Sequence, residues 1–259
     1  MEKNIVFCFT GTGNSLKVSK DIAVSLMNCD VYNMRDENTE IDIASYKRVG
    51  FVFPVYFLGL PLQVRTFVEK LKIPSDFDGY FFSVATYANM LGNAVRQVGV
   101  LLRGHGHKLH FASNVKMGDN AIAFYGSKPD MTKLAESYKK DMAVIIPKIS
   151  SRQANRIGRI FWPTEQYYRI VIPRMKNRDT GFQVSDSCSR CGLCAEVCPV
   201  DNINLADGKP EFCHRCEQCM ACIQLCPQKA IDYKDKCARR NRYKHPEISL
   251  SELRDFQNK

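Results

Sequence analysis

Two cysteine-rich stretches near the end of the chain restrict its fold more than any other feature. The first reads CSRCGLCAEVCP from Cys188, and the second reads CEQCMACIQLCP from Cys216. Both follow the pattern CxxCxxCxxxCP, so the chain contains an internal repeat. Three thiolates at intervals of three residues converge on one metal centre, whereas the fourth cysteine, before proline, lies on a segment that crosses to the neighbouring centre.

This spacing predicts two [4Fe–4S] clusters with crossed ligands. One cluster takes Cys188, Cys191, Cys194 and Cys226, and the other takes Cys216, Cys219, Cys222 and Cys198. Structural zinc sites use their ligands as two pairs, which these runs exceed, so we favour iron over zinc. Cys213 extends the even spacing of the second run and stays an alternative ligand, although the proline after Cys226 favours the register that leaves it free.

The twelve cysteines lie in a chain that begins without a secretion signal, which favours metal or redox chemistry over disulfides. We therefore expect a cytoplasmic protein. Its longest apolar stretch, Val49 to Leu62, is broken by two prolines and is too short to span a bilayer, so no membrane association is predicted. A net charge of +10 is compatible with nucleic acid, a membrane surface or an acidic protein, and composition alone does not choose.

Near the start, a polar loop separates an apolar run from a helical pattern. Ile5 to Phe9 are continuously apolar, as in a buried parallel strand, and Val18, Ile22 and Leu26 recur at helical spacing. A helix that begins after the loop offers unpaired N–H groups and a positive dipole end to an anion. The loop residues that we predict to bind phosphate are Thr10, Gly11, Thr12, Gly13, Asn14 and Ser15.

Two common nucleotide loops do not fit this stretch. The triphosphate loop needs GxxxxGK followed by Ser or Thr, and the dinucleotide fingerprint needs a third glycine where this chain has Leu16. A loop for a single phosphate monoester remains, with an ordinary helix cap as the alternative. The segment TGTGNS resembles the phosphate loop of flavodoxins, Thr-x-Thr-Gly-x-Thr, with Ser15 in place of the last threonine.

Residues 1 to about 150 alternate strand-like and helical patterns, which predicts an α/β domain with a parallel sheet. The predicted strands are Asn4 to Phe9, Asp30 to Asn33, Arg48 to Pro54, Gly79 to Thr86 and Lys108 to Val115. The predicted helices are Ser15 to Met27, Pro61 to Leu71, Gly92 to Gly104 and Lys128 to Ile149. Five strands fit the flavodoxin-like order 2-1-3-4-5, with a ligand at the carboxyl ends of the strands.

That order predicts which other loops reach the ligand. Aromatic rings, glycines and amides follow the third and fourth strands, a mixture that suits the flat ring system of a flavin. The candidates are Pro54, Val55, Tyr56, Phe57, Leu58 and Gly59 in one loop and Thr86, Tyr87, Asn89, Gly92 and Asn93 in the other. Packing at the rim of the core is the alternative for Tyr56 and Tyr87. Residues 117–120 are a weaker candidate for a lid or a partner contact.

Residues 151–183 hold seven Arg or Lys and two acidic residues, together with several aromatic residues. Such a mixture can contact nucleic acid, but no nucleic-acid-binding fold is visible, so we interpret the segment as a packed basic connector. Residues 184–259 then form a small α+β ferredoxin-like domain with both cysteine runs and a basic carboxyl-terminal tail.

Nearly the whole chain resembles the fusion family of anaerobes that joins a flavodoxin-like domain, with an FTGTGNS loop, to a two-cluster bacterial ferredoxin. This resemblance implies FMN beside two [4Fe–4S] clusters and an electron-transfer role. It does not indicate a substrate.

Three functions are compatible with these features. A carrier would exchange electrons with a redox protein partner, such as an acidic ferredoxin, because no dinucleotide fingerprint supports NAD(P)H and positive charge steers acidic proteins. A flavin reductase fed by the clusters is the alternative, and a sensing module is the third. His105, His107 and His110 lie near the start of the fifth strand, away from the predicted site, which favours the carrier. The direction of electron flow, the potentials and the oligomeric state stay open.

Overall fold

A five-stranded parallel sheet forms the first part of the molecule. The computed structural model describes residues 2–35, 41–124 and 130–258. The strands are β1 (Asn4–Cys8), β2 (Cys29–Asn33), β3 (Arg48–Pro54), β4 (Tyr80–Tyr87) and β5 (Phe111–Lys116). Their order is β2-β1-β3-β4-β5 and every neighbouring pair is parallel. The predicted flavodoxin-like α/β fold is therefore confirmed.

Four helices cover the sheet: α1 (Asn14–Leu26), α2 (Leu62–Lys70), α3 (Ala94–Gly104) and α4 (Met131–Ser150). The predicted start of the fourth helix, Lys128, lies outside the described residues. Among the helices that the structure describes, none is long and apolar enough to cross a bilayer.

Both faces of the sheet are apolar, which explains the continuous apolar runs of the central strands. One face packs on α2 and α3 through Phe7, Phe51, Phe53, Phe67, Val98 and Leu102. The other packs on α1 and α4 through Val6, Val52, Val84, Val18, Ile22 and Met142. Because the strands are parallel, the loops after β1, β3 and β4 gather at one edge of the sheet. At this edge the chain after β1 and the chain after β3 continue to opposite faces of the sheet.

The basic connector folds onto this edge. Its helix α5 (Trp162–Val171) continues into 3₁₀ turns over Ile172–Arg174 and Lys176–Gly181. Tyr168 is fully buried, and its hydroxyl donates to the Leu60 carbonyl over 2.8 Å. The Gln97 amide of α3 donates to Glu165 over 2.8 Å. These buried polar contacts hold the connector against the loops that follow β3 and β4.

The cysteine-rich part contains two short antiparallel pairs and two single-turn helices. β6 (Phe182–Val184) pairs with β9 (Ile231–Tyr233), and β7 (Ile203–Ala206) pairs with β8 (Lys209–Phe212). The single turns are α6 (Leu193–Glu196) and α7 (Ala221–Gln224), one in each cysteine run. This part matches the predicted small α+β unit.

The two cysteine runs have the same backbone path. Arg190 and Gln218, at equivalent positions, are both left-handed with φ of 58° and 55°. A second equivalent pair, Gly192 and Met220, is also left-handed with φ of 77° and 62°. The repeat seen in the sequence is thus a repeat of the loop geometry.

The carboxyl-terminal tail returns to the first domain. It contains α8 (Leu250–Gln257), which Ser249 caps by accepting a hydrogen bond from the Glu252 N–H. Leu253 and Phe256 pack against Cys8 and Leu16 beside the end of β1. The sequence analysis treated this stretch only as a basic tail, although Ser-x-x-Glu is a helix-start signature.

Candidate cofactor pocket and cysteine cavities

A pocket of about 590 Å³ opens at the edge of the sheet where the three loops meet. This volume is typical of small-molecule sites. The loop after β1 contributes Thr10, Gly11, Thr12, Asn14 and Ser15. The loops after β3 and β4 contribute Pro54, Val55, Tyr56, Phe57, Leu58, Thr86, Tyr87 and Asn89. The structure thus brings most of the predicted site residues together.

Four predicted site residues lie outside the pocket lining and shape the loops instead. Gly13 (φ 95°) precedes α1, and its N–H donates to Thr10 Oγ1. A Cβ at Gly59 would lie 2.3 Å from the Tyr168 ring, and one at Gly92 would lie 2.1 Å from the Leu58 carbonyl. The Asn93 side chain donates to the Phe161 carbonyl over 2.9 Å. Close packing against the Tyr168 ring explains Gly59, and close packing against the Leu58 carbonyl explains Gly92.

At one end of the pocket, Thr12 offers a free hydroxyl. Thr12 Oγ1 is buried and has no hydrogen-bond partner among the described residues. Its neighbours are engaged, because Thr10 Oγ1 accepts from the Gly13 N–H and Ser15 Oγ lies 2.9 Å from Thr86 Oγ1. A buried hydroxyl without a partner is costly, so this end fits a ligand with acceptor oxygens, such as a phosphate.

The carboxyl-terminal tail braces this loop from behind. The His245 N–H donates to the Thr12 carbonyl over 2.9 Å, and Gln257 Nε2 donates to the Thr10 carbonyl over 2.7 Å. With these carbonyl oxygens bonded to the tail, the loop presents fewer repulsive dipoles to an anion. No spacing in the sequence predicts this contact, because the bonded residues lie more than two hundred positions apart.

The rest of the pocket lining is aromatic, with a few polar groups. Burial raises the pKa of Tyr56 well above its ordinary value, so its hydroxyl stays protonated. Asn89 Nδ2 donates to Asp119 over 3.0 Å beside it. The connector adds Tyr167 and Arg178, which the sequence analysis did not include in the site. This environment suits a flat heteroaromatic ring.

Two small cavities in the cysteine-rich part are each lined by four cysteines. Cys188, Cys191, Cys194 and Cys226 line one, called here the outer cavity. Cys198, Cys216, Cys219 and Cys222 line the other, the inner cavity. These are the two crossed sets that the spacing assigns, and Cys213 lies in neither lining. All twelve cysteines are free thiols.

Burial raises the pKa of several of these thiols. It raises the pKa of Cys216 to about 12 and the pKa values of Cys219 and Cys222 well above the ordinary value. Burial also raises the pKa of Cys194 to about 11, with a further contribution from Cys226, Cys188 and Cys191. A buried thiol of this kind becomes a thiolate when a bound metal cation supplies the compensating charge. Within the described residues, no three His, Cys, Asp or Glu side chains are arranged to hold a single metal ion.

The inner cavity adjoins the pocket, and the outer cavity faces the surface. A Cβ built on Gly11 would lie 3.1 Å from Cys219 Cβ and 3.4 Å from the Tyr56 hydroxyl. Asn120, in the pocket lining, donates to the Cys219 carbonyl over 3.2 Å. Cys191 of the outer cavity is exposed to solvent. The inner cavity therefore contacts the pocket wall, and the outer cavity includes a cysteine that is open to solvent.

Comparison with known proteins supports a [4Fe–4S] site in the first cysteine run. Residues 184–204, which include the first cysteine run, match the 4Fe-4S binding domain family. No curated protein sequence matches the chain.

Several solved structures are similar to part of this chain at low sequence identity. An azoreductase from Bacillus anthracis is 12% identical over 58% of this chain and all of that chain, with a TM-score of 0.43. The Trp repressor binding protein from Bacillus subtilis is 16% identical over 61% and 100%, with a TM-score of 0.41. A flavodoxin from the domain Archaea is 14% identical over 57% and 98%, with a TM-score of 0.37. The fold assignment itself rests on the strand order.

The free hydroxyl of Thr12 yields a prediction for the phosphate end of the pocket. Thr12→Ala combined with Ser15→Ala should weaken FMN binding by about tenfold or more, because two hydroxyls near the anion are lost. Flavin fluorescence during titration measures the affinity. Ser19→Ala is the control, since this buried hydroxyl of the same helix bonds the Ser15 carbonyl and lies outside the pocket. Unchanged affinity in the double variant would contradict the phosphate assignment.

Proposed function

We propose that this protein transfers electrons between two [4Fe–4S] clusters and FMN, and from there to or from a protein partner. The observation that carries the proposal is the contact of the inner cysteine cavity with the pocket at Gly11. A cluster held by Cys198, Cys216, Cys219 and Cys222 would lie beside a flavin in the pocket. A cluster in the outer cavity would exchange electrons with the surface through exposed Cys191.

The residues that line the pocket fit FMN. The buried Thr12 hydroxyl and the N-terminal end of α1 would hold the phosphate, and Tyr56, Tyr87 and Phe57 would surround the ring. When bound, the flavin accepts one or two electrons whereas each cluster passes one, so the chain can convert between single electrons and pairs. Gly11 and Tyr56 line the pocket on the side where Cys219 lies, so these two residues would stand between a bound flavin and the inner cavity.

An acidic redox protein is the proposed partner, because all exposed charged side chains of the connector are Arg or Lys. Its only two acids, Glu165 and Asp179, are both buried and bonded inside the protein. Exposed Phe161, Trp162 and Ile170 add an apolar surface, and Tyr167 connects this surface to the pocket. Complementary charge would steer an acidic protein toward the flavin, and apolar contact would hold it there.

Charge reversal on the connector tests the partner proposal. Arg159→Glu combined with Arg174→Glu should slow flavin reduction by a reduced acidic ferredoxin about tenfold at low ionic strength, with a smaller effect at high salt. Stopped-flow measurement of the second-order rate constant provides the readout. The matched control, Lys139→Glu with Lys140→Glu on exposed positions of α4, should change the rate far less. Equal slowing in both double variants would contradict a specific docking face.

A cluster-fed reduction of a small molecule is the second candidate function. It is favoured by Asp119 and Arg178, which add an acid and a cation to the pocket lining. The histidines near the start of β5 do not supply a proton donor in the pocket, because each is bonded elsewhere. His105 and His107 bond the Val68 and Pro74 carbonyls, and His110 accepts from the Phe81 N–H. Substrate-dependent oxidation of the flavin without a protein acceptor distinguishes this candidate from the carrier.

Composition of the purified chain tests the proposal as a whole. Anaerobic analysis should give about eight iron, about eight sulfide and one FMN per chain. Cys226→Ala should lower the iron by about half, because this cysteine of the second run lines the cavity of the first. Cys213→Ala is the control and should retain all the iron. Full iron in Cys226→Ala would contradict the crossed ligand sets, and iron without FMN would contradict the flavin assignment.

A further inference from the structure

Gln218 lies between two cysteines of the inner cavity and also lines the cofactor pocket. Only 5% of its surface is exposed. Its backbone N–H lies 3.2 Å from Cys216 Sγ and its side-chain Nε2 lies 3.5 Å from the same sulfur. One residue therefore contacts a predicted cluster ligand while it forms part of the pocket wall.

The orientation of the Gln218 amide follows from the chemistry of its neighbour. A thiolate sulfur accepts hydrogen bonds and cannot donate them, so the NH₂ end of the amide faces Cys216. The oxygen end is then directed away from the sulfur. Gln218 Oε1 is buried and has no hydrogen-bond partner among the described residues. Such an oxygen is costly, and a donor from a ligand in the pocket would remove that cost.

We infer that Gln218 bridges the two redox centres. Nε2 donates to the sulfur of Cys216, and Oε1 accepts a hydrogen bond from an N–H group of the flavin ring. The inference rests on the proposed function and adds a residue of the cysteine-rich part to the flavin site. It also explains why a glutamine from this part is buried at the pocket wall.

The internal repeat provides a comparison within the same chain. Arg190 occupies the equivalent position of the first run, with nearly the same backbone angle, yet it is exposed. Its guanidinium donates to the Asp207 carbonyl over 3.0 Å. The loop geometry therefore does not require a buried amide at this position. The amide belongs to the run that faces the pocket.

Two consequences follow for the redox centres. A hydrogen bond to a ligand sulfur stabilises the reduced, more negative state of a cluster, so the Gln218 amide raises the potential of the inner cluster. The hydrogen bond from the flavin holds the ring against the same side chain. Loss of Gln218 should thus affect both cofactors, whereas a residue that only supports the loop would affect the cluster alone.

The test compares Gln218→Leu, Gln218→Glu and the control Arg190→Leu in the full chain loaded with iron and FMN. Fluorescence titration gives the FMN affinity, and a redox titration monitored by electron paramagnetic resonance gives the cluster potentials. Gln218→Leu should bind FMN about tenfold more weakly and lower the potential of one cluster. Gln218→Glu keeps an acceptor oxygen and the backbone N–H but loses the side-chain N–H that faces Cys216, so it should restore FMN affinity while the potential stays low. Arg190→Leu should bind FMN like the unaltered chain.

Unaltered FMN affinity in Gln218→Leu overturns the inference while leaving the proposed function intact. Failure of the unaltered chain to bind FMN overturns the proposed function, and the inference with it. If Gln218→Leu loses iron, the nearly isosteric Gln218→Glu variant decides whether Gln218 bridges the two centres. Restored FMN affinity with a lowered cluster potential supports the bridge, and affinity as weak as in Gln218→Leu contradicts it.

Discussion

The contact between Gly11 and Cys219 is the constraint on which the rest of the structure depends. A side chain at position 11 would press on Cys219 Cβ at 3.1 Å, so glycine allows the loop after β1 and the second cysteine run to meet directly. The contact joins two parts that are distant in sequence. It places the inner cysteine cavity at the wall of the pocket.

Later segments of the chain hold this junction in place. Buried Glu217, beside Cys216, accepts from the Leu62 N–H over 3.0 Å at the start of α2. The carboxyl-terminal tail bonds the carbonyls of Thr10 and Thr12, and α8 packs beside the end of β1. The parallel sheet alone would leave its loops free to move relative to the cysteine runs. These contacts fix the separation between the pocket and the inner cavity, on which the proposed electron transfer depends.

Sequence patterns predicted the sheet order and the polar loop, because each depends on local spacing. The cysteine sets that the repeat assigns line two separate cavities and stay a prediction as cluster ligands. Strand limits differed by a few residues, as for β5, which begins at Phe111 rather than Lys108. The contributions of Tyr167, Arg178 and Gln218 to the pocket could not be predicted, since they depend on how distant segments pack. Gly92 and Asn93 were assigned to the pocket, but the structure uses them for close packing and for a bond to the connector.

Magnetic coupling between the flavin and the inner cluster tests the central claim most directly. In the fully loaded chain, partly reduced without oxygen, the electron paramagnetic resonance signal of one-electron-reduced FMN should saturate only at high microwave power, because a reduced cluster beside it speeds its relaxation. A Cys222→Ser variant, which lacks one inner-cavity ligand, should give a flavin signal that saturates at low power. Easy saturation in the unaltered chain, with both clusters present and reduced, would contradict a cluster at the pocket wall.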